Sequence, residues 1–434
     1  MMETIHLFDG HHAKPLPAGF DKKGFLQYLD QVWQERPLLL QENDDEEERR
    51  STKQRFFVIE DGRIRAKNYT GFVQFNDCRI HVYPRVFSAQ NDFSITNALG
   101  HLVKWLSYSH RLQFPFSSIP ADTAHQDDWL EAFIFLFGYY TGNVVRDMPH
   151  QAYEEVTEEM GFMRGQIAMQ PYITENLAKG RHHRLYCRYE PFVYDNLYNR
   201  IVKYTSQLLL AITNESRNVL MLKEIAFVLD EVTDIICTAS DCDKVKLNRL
   251  YPEKEQVLQL CRWFLQMLQT DTSQSEKRNL CLLLPMEVIF EEYIAGFLQE
   301  HFAHLSPKQQ AQDMYLAENV KGNGVFKMIH DILIPGKLII DTKYKFRLSF
   351  DEKEGVSQHD MYQMLSYLYK RQVNDGMLLY PEMSGGISTA VTDFSVLNKD
   401  VHIRSIDITE ENLQNFDNGQ KEKLKILLKS AGLL

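Results

Sequence analysis

The chain has 434 residues, 44% of them apolar and 25% charged, and carries a net charge of −11 at pH 7. At roughly 150 residues per domain, this length suggests two or three domains, each large enough to bury a core. The composition excludes collagen-like, disordered and disulfide-scaffold chains, and the acidic balance confines any nucleic-acid surface to a local patch.

Residues 1–90 read as a β-rich domain. Between Lys53 and Phe87 four short runs, RFFVIE, RIRAK, YTGFVQF and RIHVYPRVF, are separated by turn signals at Asp61-Gly62 and Asn76-Asp77, and Asp-Gly is a strong hairpin signal. The acidic run Glu42 to Glu48 before them fits a solvated loop or a contact with a basic partner. Residues 91–275 read as mainly helical, with apolar residues at helical spacing over Thr96 to Tyr108, Asp128 to Tyr140, Asn199 to Ile212 and Glu255 to Leu268. The link between the second and third of these differs in character. It contains GFMRGQIAMQPYI (161–173) and then a basic strip from Lys179 to Lys203. The strip holds six Lys/Arg (Lys179, Arg181, Arg184, Arg188, Arg200 and Lys203) against two acids, a local charge of +4, with tyrosines interleaved. Such a strip suits phosphate contacts, and Arg181, Arg184, Arg188, Arg200 and Lys203 are the candidate DNA-binding residues. A solvated loop with core-packed tyrosines fits the same composition. The polar run Thr270 to Lys277 reads as a linker. Residues 276–434 then follow an αβββαβ-like order, a separate α/β domain. The fold class expected is α+β and multi-domain.

Six cysteines, at 78, 187, 237, 242, 261 and 281, make no Cys-x-x-Cys pair and no zinc spacing with histidine, so a reduced, cytoplasmic protein is expected. The opening MMETIHLFDG lacks a basic stretch followed by an apolar one, and no secretory leader is expected. No apolar run approaches the ~18 residues of a membrane span.

The chemistry concentrates after Pro285. Met286, Ile289, Phe290, Tyr293, Ile294 and Phe297 form one apolar helical stripe, with Glu287 and Glu291 stacked at its margin. The strand VFKMIHDILI (325–334) carries Asp331; a Pro335-Gly336 turn follows, then LIIDTKYK. Alternate strand residues share a face, so Asp341 and Lys343 point the same way, and pairing across the hairpin brings Asp331 toward Asp341. Two carboxylates and an ammonium at one end of a sheet suit phosphodiester hydrolysis: Mg²⁺ takes hard oxygen ligands, and a lysine nearby orients water and stabilises charge. A plain acid–lysine ion pair on a strand is the alternative, and Asp-x-Lys occurs three times, at Asp21, Asp341 and Asp351. Only Asp341 ends an apolar run. The helix HDMYQMLSYLYK (359–370) adds Gln363 and Tyr367 on one face beside Asp360.

These residues resemble the PD-(D/E)xK nuclease superfamily and, more narrowly, the McrC family, nuclease subunits of McrBC-type and LlaJI-type restriction systems. YTGFVQFNDCRIHVYPRV (69–86), MRGQI (163–167), DNLYNRIVK (195–203), PMEVIFEEYI (285–294), IIDTKYK (339–345) and MYQMLSY (361–367) are similar to the family's motifs, in order over most of the chain. The resemblance implies a PD-(D/E)xK domain at 276–434. Its catalytic residues would be Asp331, Asp341, Lys343, Glu291, Gln363 and Tyr367, and Mg²⁺ would be held by Asp331, Asp341 and Glu291, with Glu287 a rival helix acid. His330 stands where the signature has proline. The implied activity is Mg²⁺-dependent cleavage of modified or foreign double-stranded DNA, 5-methylcytosine DNA included, in antiviral defence. The implied partner is a McrB-like AAA+ GTPase motor, engaged by residues 1–90, with dimerisation on DNA or within the complex a further expectation. No Gly-x-x-x-x-Gly-Lys-Ser/Thr phosphate loop occurs, so the motor belongs to another chain. A non-cutting adaptor that binds DNA and stimulates the motor, and a stand-alone repair nuclease, are the competing readings.

Overall fold

The structure, a computed structural model, describes residues 3–35, 52–88, 93–110, 128–147, 150–153, 155–248, 250–269, 279–347, 352–383, 386 and 392–433. The acidic run at 42–48, the polar run at 270–277 and Asp351 lie outside them. The chain forms two compact units, Met1–Leu130 with Thr270–Leu434, and Glu131–Gln269.

The hairpins read from the sequence form in the first unit. Phe57–Glu60 pairs antiparallel with Arg63–Ala66, and Tyr69–Phe75 with Cys78–Tyr83. Asp61 and Gly62 have φ of 48° and 71°, the paired positive values that a two-residue I′ turn requires. Cys78–Tyr83 also takes Glu3–Phe8 as a parallel edge strand. On its other side Tyr69–Phe75 takes Leu280–Pro285, from far along the chain. That last strand, LCLLLP, carries no alternation, and a short unbroken apolar run does not reveal its partner. Phe25, Leu29 and Trp33 of the helix Lys22–Glu35 fill the core against Ile64, Val73, Ile80, Val82 and Leu283.

Leu280–Pro285 leads directly into the helix Met286–His301, whose stripe residues Met286, Ile289, Phe290, Tyr293, Ile294 and Phe297 are all buried. This helix packs on the helix Ile95–Ser107. A six-stranded sheet follows, in the order Lys308–Glu318, Gly324–Ile334, Leu338–Thr342, Asp375–Pro381, Lys399–Ile406, Thr392–Val396. Its first three strands are antiparallel, and Leu338–Thr342, Asp375–Pro381 and Lys399–Ile406 run parallel. A crossover is needed between parallel neighbours, and the helix Gln358–Arg371 supplies the first. It buries Met364, Tyr367 and Leu368 on the face that carries Leu333, Ile339, Leu378 and Tyr380. The order helix, three strands, helix, strand is the one read from the sequence.

The second unit is built on the helices Leu197–Leu210, Ser216–Val228 and Pro252–Gln269 with most of Trp129–Asp147. Buried Glu131 ties the helix Trp129–Asp147 to Ser216–Val228 and the loop before it: it accepts from Thr213 Oγ1 at 2.6 Å, the Asn214 amide at 2.9 Å and Asn218 Nδ2 at 2.8 Å. The link that differs in character carries short strands between the helices. Val156–Met160, Leu185–Tyr189 and Gln166–Ile167 form one small sheet, and Ala152–Tyr153 pairs with Phe192–Val193 in another. These strands are two to five residues long, too short for a clear period of two in the sequence. Among the described residues no helix is long and apolar enough to cross a membrane.

Gly71 is the tightest point of the sheet that joins the early strands to Leu280–Pro285. Its φ is +129°, and a Cβ there would lie 2.0 Å from the Leu282 carbonyl oxygen. Gly71→Ala is expected to destabilise the protein by about 2 kcal/mol or more, measured as a lowered midpoint in chemical denaturation.

Candidate active site

The strand Leu338–Thr342 is buried along its whole length. In the hairpin register Ile332 faces Ile340 and Leu333 faces Ile339, so the next facing pair is Asp331 and Asp341. Both then share the sheet face covered by the helix Gln358–Arg371. Asp341 is 1% exposed. The Lys343 Nζ lies 2.7 Å from Asp341 Oδ2, but that buried oxygen has no aligned hydrogen bond, so the contact is an ion pair. The same ammonium donates to Gln363 Oε1 at 3.1 Å, and Gln363 Nε2 donates to the Tyr367 hydroxyl at 2.8 Å. The Tyr367 ring packs on His330, their centroids 4.5 Å apart. Gln363 and Tyr367 are one helical turn apart, which puts both on the side facing the lysine. Asp331 Oδ2 accepts from the amide of Thr342 at 2.7 Å and from its hydroxyl at 2.9 Å.

The electrostatics follow from burial. Desolvation, then the Asp331 carboxylate, push Asp341 up to about 7 against the pull of Lys343. Burial would lower Lys343, yet the carboxylates of Asp341 and Asp331 outweigh it and hold the ammonium charged. Two carboxylates brought together in a poorly solvated place repel, and one ammonium offsets only part of that. A hard divalent cation suits such a donor set. Among the described residues no group of three His, Cys, Asp or Glu has metal-ligand geometry; the candidate protein ligands are this pair of aspartates, and Mg²⁺ commonly takes only one or two carboxylates.

The helix acids separate. Glu291 Oε1 accepts from Gln310 Nε2 at 2.8 Å. Glu287 Oε1 accepts from Asn68 Nδ2 at 2.6 Å and lies in a different polar cluster, with Asp9. Glu292, unremarked in the sequence, is buried and accepts from Ser109 Oγ and Gln309 Nε2. Sequence reasoning also passed over Thr342, which serves Asp331, and Lys345, which pairs with buried Asp360 at 2.9 Å. A threonine between two site residues and a lysine two places beyond the first lysine were the available signals.

The basic strip is on the second unit, and its count of +4 does not survive folding. Acids from elsewhere in the chain meet it: Arg184 pairs with Glu159 at 3.2 Å, Arg188 with Glu155 at 3.4 Å and Lys203 with Asp234 at 3.1 Å, while Arg200 pairs with Asp195 of the strip itself at 2.7 Å. Lys203 is buried and donates to the carbonyls of Asp230 at 3.2 Å and Val232 at 2.6 Å. It caps a loop from the inside. Arg181 is exposed. Lys203→Met should therefore cost roughly 2–4 kcal/mol by orphaning those carbonyls, whereas Arg181→Ala should leave thermal stability unchanged; differential scanning fluorimetry distinguishes the two.

The model for the McrBC 5-methylcytosine restriction system component family matches residues 64–381. No curated protein matches. Among solved structures, a chain from a half-complex of the tetradecameric assembly of Thermococcus gammatolerans McrB AAA+ hexamers with bound McrC superposes with a TM-score of 0.69. The match is at 17% identity, over 98% of this chain and 100% of that one. A chain of the cryo-EM structure of the Thermococcus gammatolerans McrBC complex gives a TM-score of 0.49 at 19% identity, over 69% and 88%. The family match spans most of the chain, Asp341, Lys343 and Gln363 included, and this protein belongs to the McrBC 5-methylcytosine restriction system component family.

Proposed function

We propose that this chain is the nuclease subunit of its restriction complex, a PD-(D/E)xK endonuclease that hydrolyses phosphodiester bonds of modified or foreign DNA with Mg²⁺. The observation that carries the reading is the grouping of Asp331, Asp341 and Lys343 on one face at the end of a buried strand, with Gln363 and Tyr367 behind the lysine. Asp331 and Asp341 would hold the ion, and Glu291 would assist through a water. Bound there, Mg²⁺ supplies positive charge to the phosphate and makes water more acidic. Lys343 is already charged and pinned by Gln363; it holds its ammonium where negative charge develops and orients the attacking water. Tyr367 fixes Gln363, and the helix Gln358–Arg371 thereby sets the direction of the lysine.

The partner would be a McrB-like AAA+ GTPase, in keeping with the solved assembly to which the chain is similar and with the absence of a phosphate loop in this sequence. Arg181 is exposed, and Arg184 and Arg188 could meet a phosphate backbone by exchanging their glutamate partners, since surface ion pairs are worth only about 0–1 kcal/mol.

The test is cleavage of methylated duplex DNA by the purified chain with its AAA+ partner, GTP and Mg²⁺. Lys343→Ala and Asp341→Asn should each lower the cutting rate by at least ~10²-fold while partner binding persists. Cutting by Lys343→Ala at the wild-type rate contradicts the assignment.

A further inference from the structure

The strand that carries Asp341 stops at Thr342, one residue short of the lysine. Beyond it the backbone keeps little of the ladder: the Lys343 amide donates to the Leu379 carbonyl at 2.8 Å, and the Lys345 amide turns back to the Lys343 carbonyl at 2.9 Å. The position of the 343–347 segment therefore depends on side chains, and a catalytic group needs placement to within roughly half an ångström.

Part of that anchoring comes from the sheet itself. Lys345 pairs with Asp360, and Arg347 donates to Ser405 Oγ and lies over the Tyr380 ring. The rest comes from residues at the start of the chain. Tyr344 is 2% exposed and donates its hydroxyl to Asp9 Oδ2 at 2.8 Å, across 335 residues of sequence. Asp9 is 1% exposed and follows the edge strand Glu3–Phe8 directly. Asn68 Nδ2 reaches Glu287 Oε1 at 2.6 Å and the Tyr344 carbonyl at 3.5 Å. Arg85 donates to the Gly10 carbonyl at 2.9 Å and stacks its guanidinium 3.6 Å above the Phe346 ring. Gly10 has φ of +56°, and a Cβ there would lie 3.6 Å from that guanidinium and 3.7 Å from Asn68 Oδ1, ordinary contact distances that place the turn after Asp9 beside the same cluster.

We propose that Asp9, Asn68 and Arg85 are positioning residues that, by gripping Tyr344 and Phe346, make the N-terminal segment a clamp on the backbone that carries Lys343. The proposal rests on the nuclease reading for what Lys343 does, and on the contacts above for what holds it. Burying a carboxylate at Asp9 is costly; desolvation raises it, and only the Tyr344 hydroxyl and the neighbouring Arg85 oppose that. A plain packing contact at this place would be met by an apolar pair at less cost. Two buried polar groups that satisfy each other instead fix one geometry, which is what a strand end carrying a catalytic lysine needs. The clamp also accounts for Glu287: it orders Asn68, leaving Glu291 as the acid of that helix assigned to the site.

The experiment uses the full chain with its AAA+ partner, GTP, Mg²⁺ and duplex DNA, and compares wild type with Tyr344→Phe, Asp9→Ala and Asp9→Asn. Asp9→Asn keeps an oxygen that accepts from Tyr344. Tyr344→Phe and Asp9→Ala should lower kcat about tenfold or more, leave KM for DNA within about twofold, and accelerate hydrogen exchange at the Lys343 amide in the free chain; Asp9→Asn should restore both readouts toward wild type. The exchange measurement needs neither metal nor DNA. A wild type that never cuts therefore overturns the nuclease reading while exchange still decides the clamp. Unchanged exchange at Lys343 in both Tyr344→Phe and Asp9→Ala overturns the clamp, as does unchanged kcat when the wild type cuts.

Discussion

Much of this structure turns on one unfavourable arrangement: two aspartates facing each other across a hairpin, one of them buried, answered by a single lysine just beyond the end of the strand that carries Asp341. Water would dissipate this repulsion, but the burial of Asp341 keeps water away. The fold holds it in place because the flanking residues, Ile332, Leu333, Ile339 and Ile340, are deep in the sheet. Their burial stabilises the hairpin that carries the acids, and they cannot shift without moving it. Charge is thus concentrated by a scaffold that gains its stability elsewhere, a common feature of active sites.

The lysine is governed by three directions of support. Asp341 attracts its charge, Gln363 accepts from it, and the backbone after Thr342 is held mostly by side chains, with one ladder bond from the Lys343 amide to Leu379. The helix Gln358–Arg371 and the N-terminal segment approach this point from separate parts of the sequence. The order of the chain thereby acquires a purpose: Leu280–Pro285 completes the early sheet and immediately begins the helix that enters the six-stranded one, so the two sheets share a continuous stretch of backbone.

What could be read from the sequence was whatever depends on neighbours in the chain. The hairpin at Asp61-Gly62, the stripe on Met286–His301, the shared face of Asp341 and Lys343 and the helical pairing of Gln363 with Tyr367 all follow from periods of two or 3.6 residues. What escaped depends on distant partners. LCLLLP gives no sign that it pairs with YTGFVQF, and nothing local to Tyr344 points to Asp9. Lys203 looked like part of a basic strip because charge was summed along the chain; in space its ammonium serves the carbonyls of Asp230 and Val232. The arginines at 184 and 188 likewise meet glutamates from Val156–Met160 or just before it. Net charge over a sequence window is a poor guide to a surface wherever strands of opposite sign pair.

The central claim is that Asp331 and Asp341 share a divalent cation beside Lys343. Anomalous scattering from crystals of this chain soaked in Mn²⁺, a spectroscopically visible substitute for Mg²⁺, tests it without any assay of cutting. The account predicts a peak at metal–oxygen bonding distance from both carboxylates, with the lysine ammonium retained alongside. A map with no peak there under saturating Mn²⁺, or with the ion bound only elsewhere on the chain, contradicts it.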